Sequence, residues 1–189
     1  EILRGDYKQS EYGKLVLPFV VLRRLDCILE ETKENVLKAK EELPDGVDDD
    51  IRDMILFEAA GENIRVYNTS RFTFKTLRDQ DPGQLHQNLI DYVTQFSPKV
   101  RDIFLDKFLF IDQLKRLNDS GLLWQVFDRF CQIDLHPDKV SNIEMGYLFE
   151  ELIRRFSEIS NETAGEHFTP REVIRLIVDL LIANDDMKL

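Results

Sequence analysis

The chain has 189 residues, 43% of them hydrophobic, and sets 25 Lys and Arg against 36 Asp and Glu for a formal net charge of -11. A chain this long buries roughly 70% of its unfolded surface and needs no disulfide or metal to hold a core, while the acidic balance argues against a simple phosphate-gripping module, which carries a basic excess. There is no signal peptide at the start and no apolar run of roughly 18 residues, so neither secretion nor membrane spanning is indicated.

Helical periodicity dominates from the N-terminal end. Between Ser10 and Leu43 the apolar positions Leu15, Phe19, Leu22, Leu25, Cys27, Ile28, Leu29, Val36 and Leu37 recur at helical spacing, which predicts one long central helix. Pro18 should kink it or mark a restart, because an interior proline removes a hydrogen bond and crowds the preceding turn. Cys27, and Cys131 further on, lie in apolar helical patterns and read as buried reduced thiols. Arg23-Arg24 and Arg154-Arg155 are compact basic pairs. The acids Glu41, Glu42, Asp45, Asp48, Asp49 and Asp50 crowd one turn around Pro44 and Gly46, and the simplest role for them is a solvated loop capping the next helix. That helix runs through Met54, Ile55 and Phe57 to Gly61.

Character changes near residues 64–74, where Ile64, Val66, Phe72 and Phe74 alternate with polar residues around Asn68-Thr69-Ser70. A short β-hairpin and an ordered loop fit this stretch equally. Cap-then-proline pairs at Asp81-Pro82 and Ser97-Pro98 start further helices. The aromatic run Ile103-Phe104-Leu105 and Phe108-Leu109-Phe110 follows, and Gly121 separates it from a helix through Leu122, Leu123, Trp124, Val126, Phe127 and Phe130. Phe, Leu and Ile at such spacing are core residues far more often than base-stacking surfaces. Ser141 and Glu144 form a capping box, behind which Met145, Leu148, Phe149, Leu152, Ile153 and Phe156 make a regular stripe expected to be buried. The small polar residues from Ser157 to Gly165 form the expected hinge.

Beyond the hinge, Thr169 reads as an N-cap, Pro170 takes the first helical position, and Glu172 completes a second capping box, Thr-x-x-Glu. Gly165 frees the backbone before it, and Glu166, His167 and Phe168 set a carboxylate, an imidazole and an aromatic face beside the positive helix end. Such a corner suits a small zwitterionic ligand. Other chemistry fails on residue supply: His86, His136 and His167 have no metal-ligand spacing, no phosphate loop or nucleophile elbow is present, and Glu150-Glu151 is an ordinary solvated pair. No catalytic residue is assigned.

The segment Gly165-Glu166-His167-Phe168-Thr169-Pro170-Arg171-Glu172 resembles one in the modification (DNA methyltransferase) subunit of type I restriction-modification systems. Three further stretches look like the same family, in the same order. They are Leu3-Arg4-Gly5-Asp6 with Glu11-Tyr12 and the run from Leu17 to Leu25, then Tyr67-Asn68-Thr69-Ser70, then Met145 to Phe156. The resemblance implies a mainly α, multi-helix N-terminal domain over residues 1–160, followed at 161–189 by the hinge and first helix of an α/β methyltransferase domain that is not included. It assigns S-adenosyl-L-methionine as cofactor and Glu166, His167, Phe168, Thr169, Pro170 and Arg171 as its contacts. It also implies a specificity subunit, a restriction subunit, a second methyltransferase subunit and double-stranded DNA as partners, in the cytoplasm, with N6-adenine methylation as the reaction. The Asp-Pro-x-x-Gly-x-Gly loop and Asn-Pro-Pro-Phe/Tyr motif of such subunits do not occur here, so this stretch by itself should be inert. The alternative is a stand-alone helical interaction module in which the Thr-Pro-Arg-Glu box is only a cap.

Overall fold

The computed structural model describes residues 2–62, 64–160 and Val173. Among them are nine α-helices and no β-strand, only isolated bridges between Arg4 and Tyr7 and between Asn68 and Phe96. The predicted mainly helical class therefore holds, and residues 64–74 take the ordered-loop alternative instead of the hairpin. The reason is polar: the loop spends its backbone on neighbouring helices, with Thr69 N donating to the Gln95 carbonyl and Ser97 N to the Tyr67 carbonyl, both at 3.0 Å.

The long central helix expected over 10–43 is two helices, α1 (Tyr12–Leu29) and α2 (Lys33–Glu42). Pro18 sits buried inside an uninterrupted α1, and the break falls at Glu30, Glu31 and Thr32. That break redirects Lys33 and Val36 inward. Val36 joins Leu56, Ala60 and Tyr67 in a small second core between α2 and α3 (Asp49–Ala60). Asp48 caps α3 by accepting from Asp50 N at 2.9 Å, as the acidic turn suggested, and Gly61 ends it at φ 115°, a conformation costly for any other residue.

The main core gathers around α1. Phe19 stacks on Phe130 and meets Phe110 edge-on, each with centroids 4.9 Å apart, and Phe74 touches Phe127 at 4.8 Å. These rings come from α4 (Phe74–Arg78), α7 (Phe110–Asp119) and α8 (Leu123–Cys131), with α5 (Leu85–Thr94) closing one side. Between α6 (Pro98–Asp102) and α7 the chain makes a π-helical turn, Ile103–Lys107, and then sets Leu109 in the left-handed region at φ 48°. The wider turn lets Phe104 and Phe110 both reach the interior, where their centroids lie 5.7 Å apart.

α9 (Asn142–Ser160) begins at the expected capping box: Ser141 N donates to Glu144 at 2.8 Å and Glu144 N to Ser141 Oγ at 3.3 Å. It lies across α1 and the 3-10 turn Gln9–Glu11. The stripe expected to be buried is mostly half-covered, with Met145 alone fully inside. One long helix laid across the end of a formed core has only one covering neighbour for that face. The approach to α1 is close at Gly13, where a Cβ would stand 3.2 Å from the Phe156 ring.

What places α9 is Arg24. Its guanidinium is buried and donates to the carbonyls of Leu135 and Val140 and, at 2.8 Å, to Asn142 Oδ1, tying α1 to the loop between α8 and α9. Replacing Arg24 by Met should lower unfolding free energy by about 3 kcal/mol, because the buried Leu135 carbonyl and two part-covered acceptors lose a charged donor. Arg24→Lys should recover less than half, since one ammonium cannot span acceptors arranged for a planar fork. Urea denaturation of the three proteins measures this, and a Met variant as stable as the parent would refute the assignment.

Candidate functional site

The sequence-predicted cofactor corner, Glu166 to Arg171, lies outside the described residues. What the structure shows is the platform from which that segment departs and a polar seam through the platform's centre. The seam begins on α1, whose Arg23, Arg24 and Asp26 interrupt an otherwise apolar surface. Asp26 accepts from Arg23 at 2.8 Å, from Phe74 N at 3.0 Å and from the Tyr92 hydroxyl at 2.9 Å. Burial raises its pKa, and those donors oppose the rise. Tyr92, wholly enclosed and facing Asp26, is held protonated well above its ordinary range. Arg23 also donates to the Ile133 carbonyl at 2.8 Å and lies over the Phe74 ring.

A second cluster joins α2 to the Tyr67-Asn68-Thr69-Ser70 loop. Lys33 Nζ donates to Asn68 Oδ1 at 2.8 Å and faces the Tyr92 ring at 5.4 Å. Asn68 Oδ1 also accepts from Ser70 N at 2.9 Å, while its Nδ2 donates to the Tyr92 carbonyl at 2.8 Å. Ser70 Oγ reaches Asp91 at 2.8 Å, and the Tyr67 hydroxyl donates to Asp53. Burial lowers the Lys33 pKa to about 8, only partly offset by the Asp26 charge.

These groups hold structure and leave little to do chemistry. The carboxylate, amide and ammonium at the centre are each engaged, so no poised acid, base or nucleophile remains among them. The thiols are muted as well: burial pushes Cys131 up to about 12 and raises Cys27, and both are free and unbridged. Beside Asp26 an open cleft of about 410 Å³ includes Arg23, Lys75, Arg78 and Cys131 in its wall, with Arg78 already paired to Asp128 at 2.7 Å. The other basic pair is likewise committed, since Arg154 bonds Glu151 and Glu158, and Arg155 bonds Glu151.

At the N-terminal edge, Arg116 lies 4.0 Å over the Tyr7 ring and donates to Glu11 at 2.9 Å and to the Asp6 carbonyl at 2.8 Å. The hydrogen bonds from Arg116 draw the Glu11 pKa down to about 2. This clasp fixes the Leu3-Arg4-Gly5-Asp6 and Glu11-Tyr12 stretches, which the sequence singled out without a physical role. Sequence reasoning missed Arg24, Asp26, Lys33 and Asn68 as a set. The available signal was the presence of charges within the nearly all-apolar run from Leu15 to Leu29. No helix among the described residues is long and apolar enough to cross a membrane.

Comparison with known proteins divides the chain at the loop that Arg24 holds. The family model described as the HsdM N-terminal domain matches residues 1–130, and that described as N-6 DNA Methylase matches residues 141–189. The chain is similar to the type I restriction enzyme MjaIX methylase subunit of Methanocaldococcus jannaschii, at 23% identity over 95% of this chain and 33% of the relative. It thus spans about a third of that relative's length. No solved structure matches.

The depressed Lys33 pKa has a consequence for stability. Below pH 8 Lys33 is charged in folded and unfolded chains alike and its burial cost is fully felt; from about pH 8 to its ordinary 10.5 the unfolded chain binds the extra proton, so stability rises with pH. Lys33→Met removes this dependence. Between pH 7 and 10 the parent should gain about 2 kcal/mol relative to the Met variant, the tyrosine titrations common to both cancelling. Parallel urea titrations across that range check it, and a constant difference would show that Lys33 is not desolvated.

Proposed function

The chain belongs to the HsdM N-terminal domain family, and from that premise we propose that it is an N-terminal region of the DNA methyltransferase subunit of a type I restriction-modification enzyme. The observation that carries this reading is the succession of two family matches in one chain, with α9 inside the second yet packed on the first. An interaction module complete in itself would not require the methylase match, so the stand-alone alternative is disfavoured.

The full-length protein would transfer the sulfonium methyl of S-adenosyl-L-methionine to N6 of adenine in double-stranded DNA. The target base would be flipped out of the duplex, because its amino group cannot meet a cofactor from within the stack. The specificity subunit would choose the site, with the restriction subunit and a second methyltransferase subunit completing a cytoplasmic complex. This region would serve assembly and closure around DNA. The residues after α9 would form an edge of the cofactor site. There the free N–H groups at the helix start would receive the methionine carboxylate, Glu166 a ligand amine or hydroxyl, and Phe168 the adenine ring or the sulfonium. His167, Thr169 and Pro170 would shape the backbone, and Arg171 would reach toward the carboxylate. For the described residues, the engaged polar seam supports a scaffold role.

Full-length protein combined with its specificity partner should place label from the cofactor on adenine N6, whereas the 189-residue chain alone should place none. Adenine methylation by the 189-residue chain would overturn the scaffold reading. In the full-length protein Phe168→Ala should weaken cofactor binding about tenfold, or 1 to 2 kcal/mol, if the ring stacks on the ligand. Thr169→Ala should instead cost about 1 kcal/mol of local stability through the lost cap. Calorimetric titration separates the two effects, and unchanged affinity in both Phe168→Ala and Glu166→Ala would return the segment to a simple helix cap. With a charge of -11, the isolated chain should bind DNA weakly, and raising salt from low to physiological should abolish the binding. Tight, site-specific retention in a gel shift would contradict that.

A further inference from the structure

Two apolar sites on the surface carry opposite charge. The first is a groove of about 480 Å³ between α1, the π-helical turn after α6 and the C-terminal half of α9, with Leu17, Phe108, Leu109, Ile153 and Phe156 in its lining. Lys14 and Lys107 stand exposed along it, and among the described residues no carboxylate lines it, in a chain that carries 36 Asp and Glu. Leu109 is 54% exposed and sits in the left-handed region, a strained state for leucine. The second site is the outer face of α3. Ile51 is 48% and Met54 62% exposed, and at helical spacing they share that face with Asp50 and Glu58. Both carboxylates are exposed and neither is in an ion pair among the described residues, whereas Asp49 is taken by Arg52 and Asp53 by the Tyr67 hydroxyl. An acidic helix with uncovered apolar side chains complements a cationic apolar groove.

The two sites are joined through α6. Asp53 and Phe57 of α3 line a cleft with Pro98 and Lys99, and α6 continues from there through the π-helical turn to Lys107 and the groove. Ile103, 44% exposed, lies midway along that stretch. The order is thus acidic α3, exposed Ile103, cationic groove, and this order complements itself when reversed. A two-fold axis beside Ile103 lays the acidic face of one α3 on the groove of a second copy and, by symmetry, makes the same contact twice. Uncovered apolar side chains gathered in this way mark an interaction surface.

We propose that two copies of this chain associate through these sites, α3 of each seated in the groove of the other. The inference rests on the reading, given above, of a subunit that works beside a second copy of itself, and it names the surfaces through which the copies meet. Ile51 and Met54 enter against Leu109 and Phe108, while Asp50 and Glu58 come within reach of Lys14 and Lys107. The contact involves no residue of the segment from Glu166 to Arg171, so a failed cofactor titration leaves it standing.

Sedimentation velocity of the full-length protein over a dilution series tests the proposal. It needs neither DNA nor cofactor, so its outcome is independent of whether the enzyme methylates adenine. The parent should show a monomer–dimer equilibrium. Lys14→Glu combined with Lys107→Glu should weaken it about tenfold or more, and Asp50→Lys combined with Glu58→Lys should do the same, because each pair sets like charges against each other in both contacts. Mixed in equal amounts, the two double variants should form a heterodimer about as tight as the parent dimer: the acidified groove meets the basic α3, and the other contact keeps its original charges. That recovery also shows that both variants fold. Leu109→Asn is the apolar counterpart, since asparagine tolerates the left-handed conformation and only the side-chain contact is lost; it should weaken the dimer by about tenfold. A parent that stays monomeric would overturn the proposal and give the groove to another occupant. Unchanged dimerisation in either double variant or in Leu109→Asn would overturn it too, as would a mixture of the folded double variants that fails to associate.

Discussion

A buried guanidinium must keep its partners, and Arg24 keeps three of them more than a hundred residues away, two in a loop and one at the start of α9. Losing such partners strands a charge in a poor solvent at a cost of about 3 to 5 kcal/mol. The loop from Gln132 to Ser141 therefore follows α1, and it carries the first turn of α9 with it. Arg23 repeats the logic one residue earlier, joining the Ile133 carbonyl on one side to Asp26 on the other. Asp26 in turn fixes Phe74 N and the Tyr92 hydroxyl, so one turn of α1 orders α4, α5 and the loop before α9.

The smaller core is attached by an equivalent device. Lys33, just past the break after α1, gives up hydration to bind Asn68, and Asn68 spends its amide on Ser70 N and the Tyr92 carbonyl. Tyr92 is thus common to both clusters, receiving Lys33 against its ring and giving its hydroxyl to Asp26. The two clusters share a residue, so α2 cannot rotate on the main core without disturbing the seam. Apolar contacts supply most of the driving force for such a fold, while these few directional bonds decide which packing is adopted.

Local signals were legible where a residue acts on its own neighbours. The Asp48 cap, the Gly61 stop, the proline starts at Pro82 and Pro98 and the Ser141–Glu144 box depend on side chains within three residues of the backbone they serve. The break between α1 and α2 was not legible, because Glu30, Glu31 and Thr32 are acceptable helix residues and only tertiary partners for Lys33 and Val36 require a new direction. Pro18 misled in the opposite sense: α1 runs unbroken through it, and the proline is buried in the core. The Tyr67-Asn68-Thr69-Ser70 stretch had a strand-like alternation, yet its polar atoms found helices. The cofactor contacts expected at Glu166 to Arg171 rest on family likeness and lie outside the described residues, while the polar seam was hidden because Arg23 and Arg24 look like surface charge until their distant carbonyl partners are known.

The two ends of α9 explain how such a scaffold can serve the segment beyond Ser160. Arg24 grips Asn142, its first residue, and the close approach of Gly13 to Phe156 holds it again fourteen residues later. At about 1.5 Å per residue those points are some 21 Å apart, which fixes direction as well as position. The helix outer face adds Glu151, Arg154, Arg155 and Glu158 in a chain of ion pairs that stiffens the last turns modestly. A helix pinned at two separated points behaves as a strut. The place and heading of the last turn of α9 are thus set by α1, as the scaffold role proposed for this region requires.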